Sequence, residues 1–292
     1  MNPNTLKAAL AAAALSTLGP VAALASTVVY QNSFENAGGI DAVAPGTYNA
    51  PASLGTWSLS SGTAIVSADA GPDGSNQIVT LSAGAQLDRN FGGPIQAQLG
   101  SIVFVEGWAR TAGSSLLLQN AVYPAGENAS AIVHFSANGG VQLLDGDKVG
   151  GAGNVVSTAF PLGVANQNTW HRITVKLDFT AKEYDAYIRR LGDASYQTYS
   201  ALGFRDNVSA LNGFRNMAES AFDFDAFRLV KPLDGDANGD SVIDASDVVR
   251  VAEYQRNGAS DPILAYNADV VRDGLVDGAD LTAIVNTITT TP

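Results

Sequence analysis

The chain has 292 residues, 46% of them hydrophobic, and 28 acidic against 16 basic side chains give a net charge of −12. This composition supports a packed core and excludes a disordered chain, and the acidic balance excludes sequence-independent binding to nucleic acid or anionic membranes, which needs basic patches. With no cysteine and two histidines, disulfides, thiolate metal sites and a three-histidine zinc site are excluded too.

Met1 to Lys7 carries one positive charge, Ala8 to Leu15 is unbroken apolar sequence, and Ala23-Leu24-Ala25 stands before Ser26 as an A-x-A cleavage signal. Residues 1–25 therefore read as a secretory signal peptide. Ser16, Thr17, Gly19 and Pro20 interrupt the stretch well short of the roughly 20 apolar residues a membrane anchor needs, and no later segment approaches that length. The expectation is a secreted or cell-surface protein, with no integral membrane segment once the leader is removed.

Residues 26–230 are rich in short strand-like runs between Gly, Pro, Asn and Asp clusters. Ten are expected: Thr27 to Phe34, Trp57 to Val66, Gln77 to Leu81, Ile102 to Arg110, Ser115 to Gln119, Ala131 to Phe135, Val141 to Leu144, Trp170 to Phe179, Glu183 to Ile188 and Phe222 to Val230. Short strands without a long helical period predict a β-sandwich. In the run from Trp170, the residues Ile173, Val175, Leu177 and Phe179 alternate with Arg172, Thr174, Lys176 and Asp178, which predicts one buried and one wet face. A turn at Thr180-Ala181-Lys182 then makes a hairpin with Glu183 to Ile188. That hairpin, together with Phe224-Asp225-Ala226-Phe227-Arg228-Leu229, resembles laminin G-like and concanavalin A-like jelly-roll domains, which implies a sandwich over residues 26–230.

Glycoside hydrolases on such a fold need an acid and a nucleophile flanking the sugar bond, about 5 Å apart, and no E-x-D-x-x-E pattern occurs here. Glu106, Trp108 and Arg110 share one face of a strand, a spacing that suits sugar binding, or else Trp108 fills the core with Ile102 and Phe104 while Glu106 and Arg110 pair. His134 is a candidate proton-transfer base, or a satisfied strand histidine. His171 is expected on an outward face, Asp223 and Asp225 as solvated strand charge, and Tyr196 and Tyr199 on a loop.

After a linker at 231–233 the composition changes. Residues 232–292 hold 11 acidic and three basic side chains, a net of −8 and two-thirds of the total charge. Asp236, Asn238, Asp240, Asp244 and Asp247 occupy positions 1, 3, 5, 9 and 12 of a loop, with the Val242 carbonyl at 7. Asp269, Asp273, Asp277 and Asp280 repeat positions 1, 5, 9 and 12 with Leu275 at 7, offset by 33 residues. Six or seven oxygens at this spacing form the EF-hand ligand scheme, and an all-oxygen set in a flexible loop prefers calcium to magnesium or zinc. Ile243 and Val276, both at position 8, are expected to join the loops in one core.

One amphipathic helix is expected after each loop, with stripes Val248, Val251, Ala252, Gln255 and Leu281, Ile284, Val285, Ile288, and none before either loop. Loop then helix, twice, resembles the type I dockerin, which implies a module over 234–292 that binds calcium and docks to a cohesin-like partner. Val271 stands where position 3 wants a side-chain ligand, which makes the second of two calcium sites the weaker. Position 6 is Gly274 in the second loop but Ser241 in the first, which predicts strain there. Ala245-Ser246 and Gly278-Ala279, which follow position 9, are less polar than the cohesin-reading pairs of the family.

The combined expectation is a mainly β chain, a jelly-roll sandwich followed by a small α-helical, EF-hand-like calcium module. Its function would be that of a secreted, non-catalytic, carbohydrate-associated protein, anchored by its tail to a cohesin-like protein or cell-surface component and holding a polysaccharide on its body during polysaccharide breakdown. A polysaccharide hydrolase or lyase using Glu106, Arg110 or His134, and a structural surface protein, are the alternatives.

Overall fold

The computed structural model describes residues 27–32, 43–54, 56–72, 74–91, 100–111, 115–119, 129–135, 141–147, 154–157 and 168–290. The leader expected at 1–25 lies outside the described residues. The chain divides into two compact units, a body over Val28–Val230 and a unit that takes in Lys231–Pro292. Among the described residues no helix is long and apolar enough to cross a membrane.

In chain order the body's described strands are β1 (Thr27–Asn32), β2 (Gly46–Asn49), β3 (Ala52–Leu54), β4 (Trp57–Ser61), β5 (Thr63–Ser67), β6 (Ile78–Leu81), β7 (Gln86–Asn90), β8 (Ile102–Thr111), β9 (Ser115–Gln119), β10 (Val133–Phe135), β11 (Val141–Asp145), β12 (Asn154–Ser157), β13 (His171–Asp178), β14 (Glu183–Arg190), β15 (Gln197–Gly203), β16 (Gly213–Met217) and β17 (Phe222–Lys231). One sheet runs β15-β14-β13-β8-β17-β6-β5-β2, with β1 also on β17, and the other runs β12-β11-β10-β9-β16-β7-β4-β3. Consecutive strands β16 and β17 lie in opposite sheets. Each sits between the corresponding members of the pairs β6, β7 and β8, β9, which is jelly-roll winding.

The two sheets close on one hydrophobic core. Trp57 of one sheet is fully buried and meets Phe227 of the other edge-on, with ring centroids 5.3 Å apart, and Phe214 meets Phe227 at 4.7 Å. The expected alternation along β13 is present on its inner side, where Ile173, Val175 and Leu177 are buried. Its outer side is not uniformly wet, because Thr174 is buried as well.

The expected single strand from Trp57 to Val66 is two strands in different sheets. Gly62 turns the chain between them with φ 71°, and a Cβ there would lie 2.5 Å from the Ala85 Cα. Strands β2, β3, β7, β12, β15 and β16 were not expected, since their sequences lack apolar alternation. In β7 and β16 the reason is explicit: Asp88 and Arg215 face each other across the pair, bonded at 2.8 Å, so both charges are buried within the sheet.

The second unit has helices α1 (Ala245–Asn257), α2 (Pro262–Ala268) and α3 (Gly278–Thr290). Helix α2 enters the second loop directly and corrects the expectation of two helices. Its start is locally specified: Asp261 caps it by accepting from the Ile263 and Leu264 N–H groups, and Pro262 stands at the first turn. Ala237, Val251, Ala268, Ile284 and Ile288 form this unit's core, with Ile243 and Val276 packed against it, so the two loops share one apolar centre.

Candidate metal centre

The first loop is held by its own carboxylates. Asp236 accepts from the Gly239 N–H (2.8 Å) and the Ser241 N–H (3.2 Å), Asp240 from the Val242 N–H (2.9 Å), and Asp244 from the Ser246 N–H (2.7 Å). Asp247 closes the loop, with one oxygen accepting from the Asn238 N–H (3.1 Å) and the other from the Asp244 N–H (2.9 Å). Asp244 and Asp247 thus form a capping box that starts α1, so the last two ligand positions also specify the helix.

The second loop repeats this arrangement at the 33-residue offset. Asp273 accepts from the Leu275 N–H (2.9 Å), Asp277 from the Ala279 N–H (2.7 Å), and Asp280 from the Val271 N–H (3.0 Å) and Asp277 N–H (2.9 Å). Asp269 accepts from the Asp273 N–H (3.2 Å) and Gly274 N–H (3.0 Å). Positions 4 and 6 are left-handed in both loops. Glycine fills one of them each time, but not the same one: Gly239 (φ 79°) with Ser241 (φ 73°), then Arg272 (φ 59°) with Gly274 (φ 86°). Ser241 therefore carries the backbone strain its position predicts, and Arg272 carries the same strain in the second loop.

Asp236, Asp247 and Asp280 are fully buried. Among the described residues the ion pairs of this unit are Arg250 with Glu253 and Arg272 with Asp234, and neither involves a ligand-position aspartate. Burial raises the Asp247 carboxyl to about 6, the N–H groups of Asp244 and Asn238 oppose the rise, and the charges of Asp236 and Asp240 add to it. Among the described residues no three acidic or histidine side chains cluster closely enough to hold a metal ion. The donor chemistry nonetheless fits a hard cation, being all oxygen, anchored by the buried Asp236, Asp247 and Asp280, and without a cationic side chain in an ion pair with it among the described residues.

The body's candidate residues do not form one site. Glu106 and Arg110 lie on β8 in one sheet and His134 on β10 in the other. Glu106, 4% exposed, does not pair with Arg110. It is gripped by Arg172 (2.7 Å), Arg228 (2.7 Å) and the Thr174 hydroxyl (2.8 Å). Arg110 instead donates to Asp223 (2.7 Å), which also accepts from Thr80 (2.6 Å), and its guanidinium lies 4.8 Å from the Trp170 ring centre. Trp108 packs with Ile78 and Trp170 outside the main core, not with Ile102 and Phe104. His134 bonds Gln142 (3.2 Å) and lies 3.7 Å from a Glu219 oxygen.

Other expectations are also corrected. His171 is buried, not outward, and desolvation lowers its pKa to about 4, against a bond with the Thr169 backbone that raises it. Asp225 is fully buried and accepts from the Ser75 hydroxyl at 2.6 Å, so it is no solvated charge. Tyr199 lies in β15, not a loop, whereas Tyr196 is on the loop before β15 as expected, stacked under Arg189 at 4.8 Å.

The deciding comparison concerns the loop repeat. Residues 234–289 match the dockerin type I domain. No curated protein matches the chain. Solved structures similar to the body are remote. The binding domain of botulinum neurotoxin DC has a TM-score of 0.35 and 10% identity over 52% of this chain and 38% of that one. Basic winged bean lectin has a TM-score of 0.38 and 10% identity over 60% of this chain and 92% of its own, and arcelin-5, a lectin-like defense protein from Phaseolus vulgaris, 0.37 and 9% over 60% and 89%. This chain spans well under two-thirds of the neurotoxin domain. Likeness at this distance says nothing about ligands.

Dockerin type I domains bind calcium and dock to cohesins. In this dockerin-like unit Val271 is 44% exposed and supplies only its N–H to the second loop. Ala245, Ser246, Gly278 and Ala279 are exposed at the starts of α1 and α3, and Val249 is 55% exposed one turn further along α1. In this unit, sequence reasoning missed α2, whose Asp261-Pro262 start is a legible signal, and Asn267, for which no local signal exists.

Proposed function

We propose that this is a secreted, non-catalytic, carbohydrate-associated protein. Its dockerin-like tail takes two calcium ions and anchors the sandwich to a cohesin-like partner or a cell-surface component, in the setting of polysaccharide breakdown. The organisation is a leader at 1–25, a glycan-binding body at 26–230, a linker at 231–233 and the tail at 234–292. One observation carries the reading: a twice-repeated loop of aspartates, closed in each case by a buried one (Asp247, Asp280), whose ligand positions take part in neither of the unit's ion pairs among the described residues. Asp236, Asn238, Asp240, Asp244, Asp247 and the Val242 carbonyl would hold the first ion. Asp269, Asp273, Asp277, Asp280 and the Leu275 carbonyl would hold the second, more weakly for want of an oxygen at Val271. Calcium supplies the positive charge these carboxylates lack, and their backbone bonds keep each loop in register for it.

Calorimetric titration of chelator-stripped protein with calcium tests the tail, and no heat of binding would refute it. A polysaccharide array read for retention and for product release tests the body. Retention without products supports a binding role. Glu106 and Arg110 favour it, because their charged groups are occupied by Arg172, Arg228 and Asp223. The enzyme reading keeps one favourable observation, the approach of His134 to Glu219, and product release lost in His134→Ala would establish it.

A further inference from the structure

The two loops are cross-braced. In each repeat the residue two places before the first ligand position reaches into the other repeat. Asn267, two before Asp269, is 1% exposed. Its Nδ2 donates to the Asp236 carbonyl (3.1 Å), its Oδ1 accepts from the Leu233 N–H (3.1 Å), and its own carbonyl accepts from the Gly235 N–H (2.8 Å). Asp234, two before Asp236, pairs with Arg272 at position 4 of the second loop. Arg272 in turn donates to the carbonyls of Tyr266 and Asp269, the latter at 2.7 Å, and its guanidinium stacks 3.5 Å from the Tyr266 ring centre.

We propose that these crossed bonds couple the calcium loops, with Asn267 as the positioning residue, so that an ion in the first loop raises the affinity of the second. The inference rests on the calcium reading of the tail. Asp236 and Asn267 are both buried, so freeing either leaves polar groups without partners, and ordering one orders the other. Asn267 lies in the last turn of α2, and Asp269, the first ligand of the second loop, follows that helix as its C-cap. Fixing Asp236 on an ion therefore fixes the backbone from which Asp269 projects. The second loop, with no side-chain oxygen at position 3, gains most from such ordering. The shared apolar core also joins the loops, but burial is non-directional, whereas the bonds of Asn267 select one placement of α2.

The test is a calcium double-mutant cycle on the full chain without its leader, read by calorimetry. Asp240→Ala disables the first loop at an exposed position. With Asn267 present, it should weaken the second loop about fivefold or more, the lower end of ordinary coupling. In the Asn267→Ala background the same change should leave the second loop's affinity unaltered. Arg272→Ala, which removes the outer brace alone, should reduce the coupling partway. Circular dichroism at saturating calcium checks folding. Should Asn267→Ala not fold, the wild-type and Arg272→Ala comparisons with Asp240→Ala still decide. Two sites that fill independently overturn the coupling and leave the calcium reading standing, whereas no binding at all overturns both.

Discussion

The two units treat buried carboxylates in opposite ways. In the body Glu106 takes Arg172 and Arg228, Asp88 takes Arg215 and the half-buried Asp223 takes Arg110, while Asp225 accepts from the Ser75 hydroxyl. In the tail Asp236, Asp247 and Asp280 meet only backbone N–H groups. Glu106 and Asp88 in the body are thus neutralised by arginines, while the tail's buried aspartates are held by backbone dipoles, a charge that calcium would complement under the proposed function. Neutrality built from residues far apart in sequence rigidifies a sheet, and neutrality supplied from outside makes folding conditional.

The largest expected effect separates the units outright. Chelation should remove the helical circular dichroism of the tail and leave the β-sheet signal and its melt unchanged, with calcium restoring the helices. A melt of both units together would break the contrast. Next, Glu106→Ala should destabilise the body by about 3 to 5 kcal/mol, because it leaves two arginines around a buried site without their carboxylate. Thermal unfolding should show the same loss with and without calcium.

His171 sharpens the contrast through pH. Its folded pKa of about 4 lies below the ordinary 6.5, so the unfolded chain takes up the proton first. The body's stability is fully present above pH 6.5 and falls as pH drops toward 4, by about 3 kcal/mol at most, and His171→Phe should flatten that slope in denaturant titrations. In the tail, Val271→Asp restores an oxygen at position 3 and should tighten the second site on the order of tenfold in a calcium titration. The smallest effect is Ser241→Gly, which relieves a left-handed residue and should stabilise the calcium-loaded tail by roughly 0.5 to 1 kcal/mol in a melt.

Much of the tail is legible from sequence, and less of the body. The Asp244–Asp247 capping box, the loop positions and the helix stripes all lie within about a dozen residues, a range over which backbone geometry alone sets who meets whom. Even there α2 escapes the periodicity argument, being only seven residues long, although Asp261-Pro262 marks its start. In the body the strongest alternation, along β13, is read correctly on its buried side. Polar strands such as β7 and β16 are invisible because each needs the other to bury Asp88 and Arg215.

The sequence by itself determined the 33-residue repeat of oxygen donors, the apolar stripes that bind the helices together and the period-two pattern of the sandwich. Tertiary structure alone decided the partners of Glu106, which lie 66 and 122 residues away, and the separation of Glu106 and Arg110 from His134 on different sheets. It also decided the bond from Asn267 to Asp236, 31 residues back along the chain. The reason is range. Hydrogen bonds and hydrophobic periodicity within a turn or a loop follow from covalent geometry, whereas charges across a jelly roll are brought together only when non-adjacent strands pair.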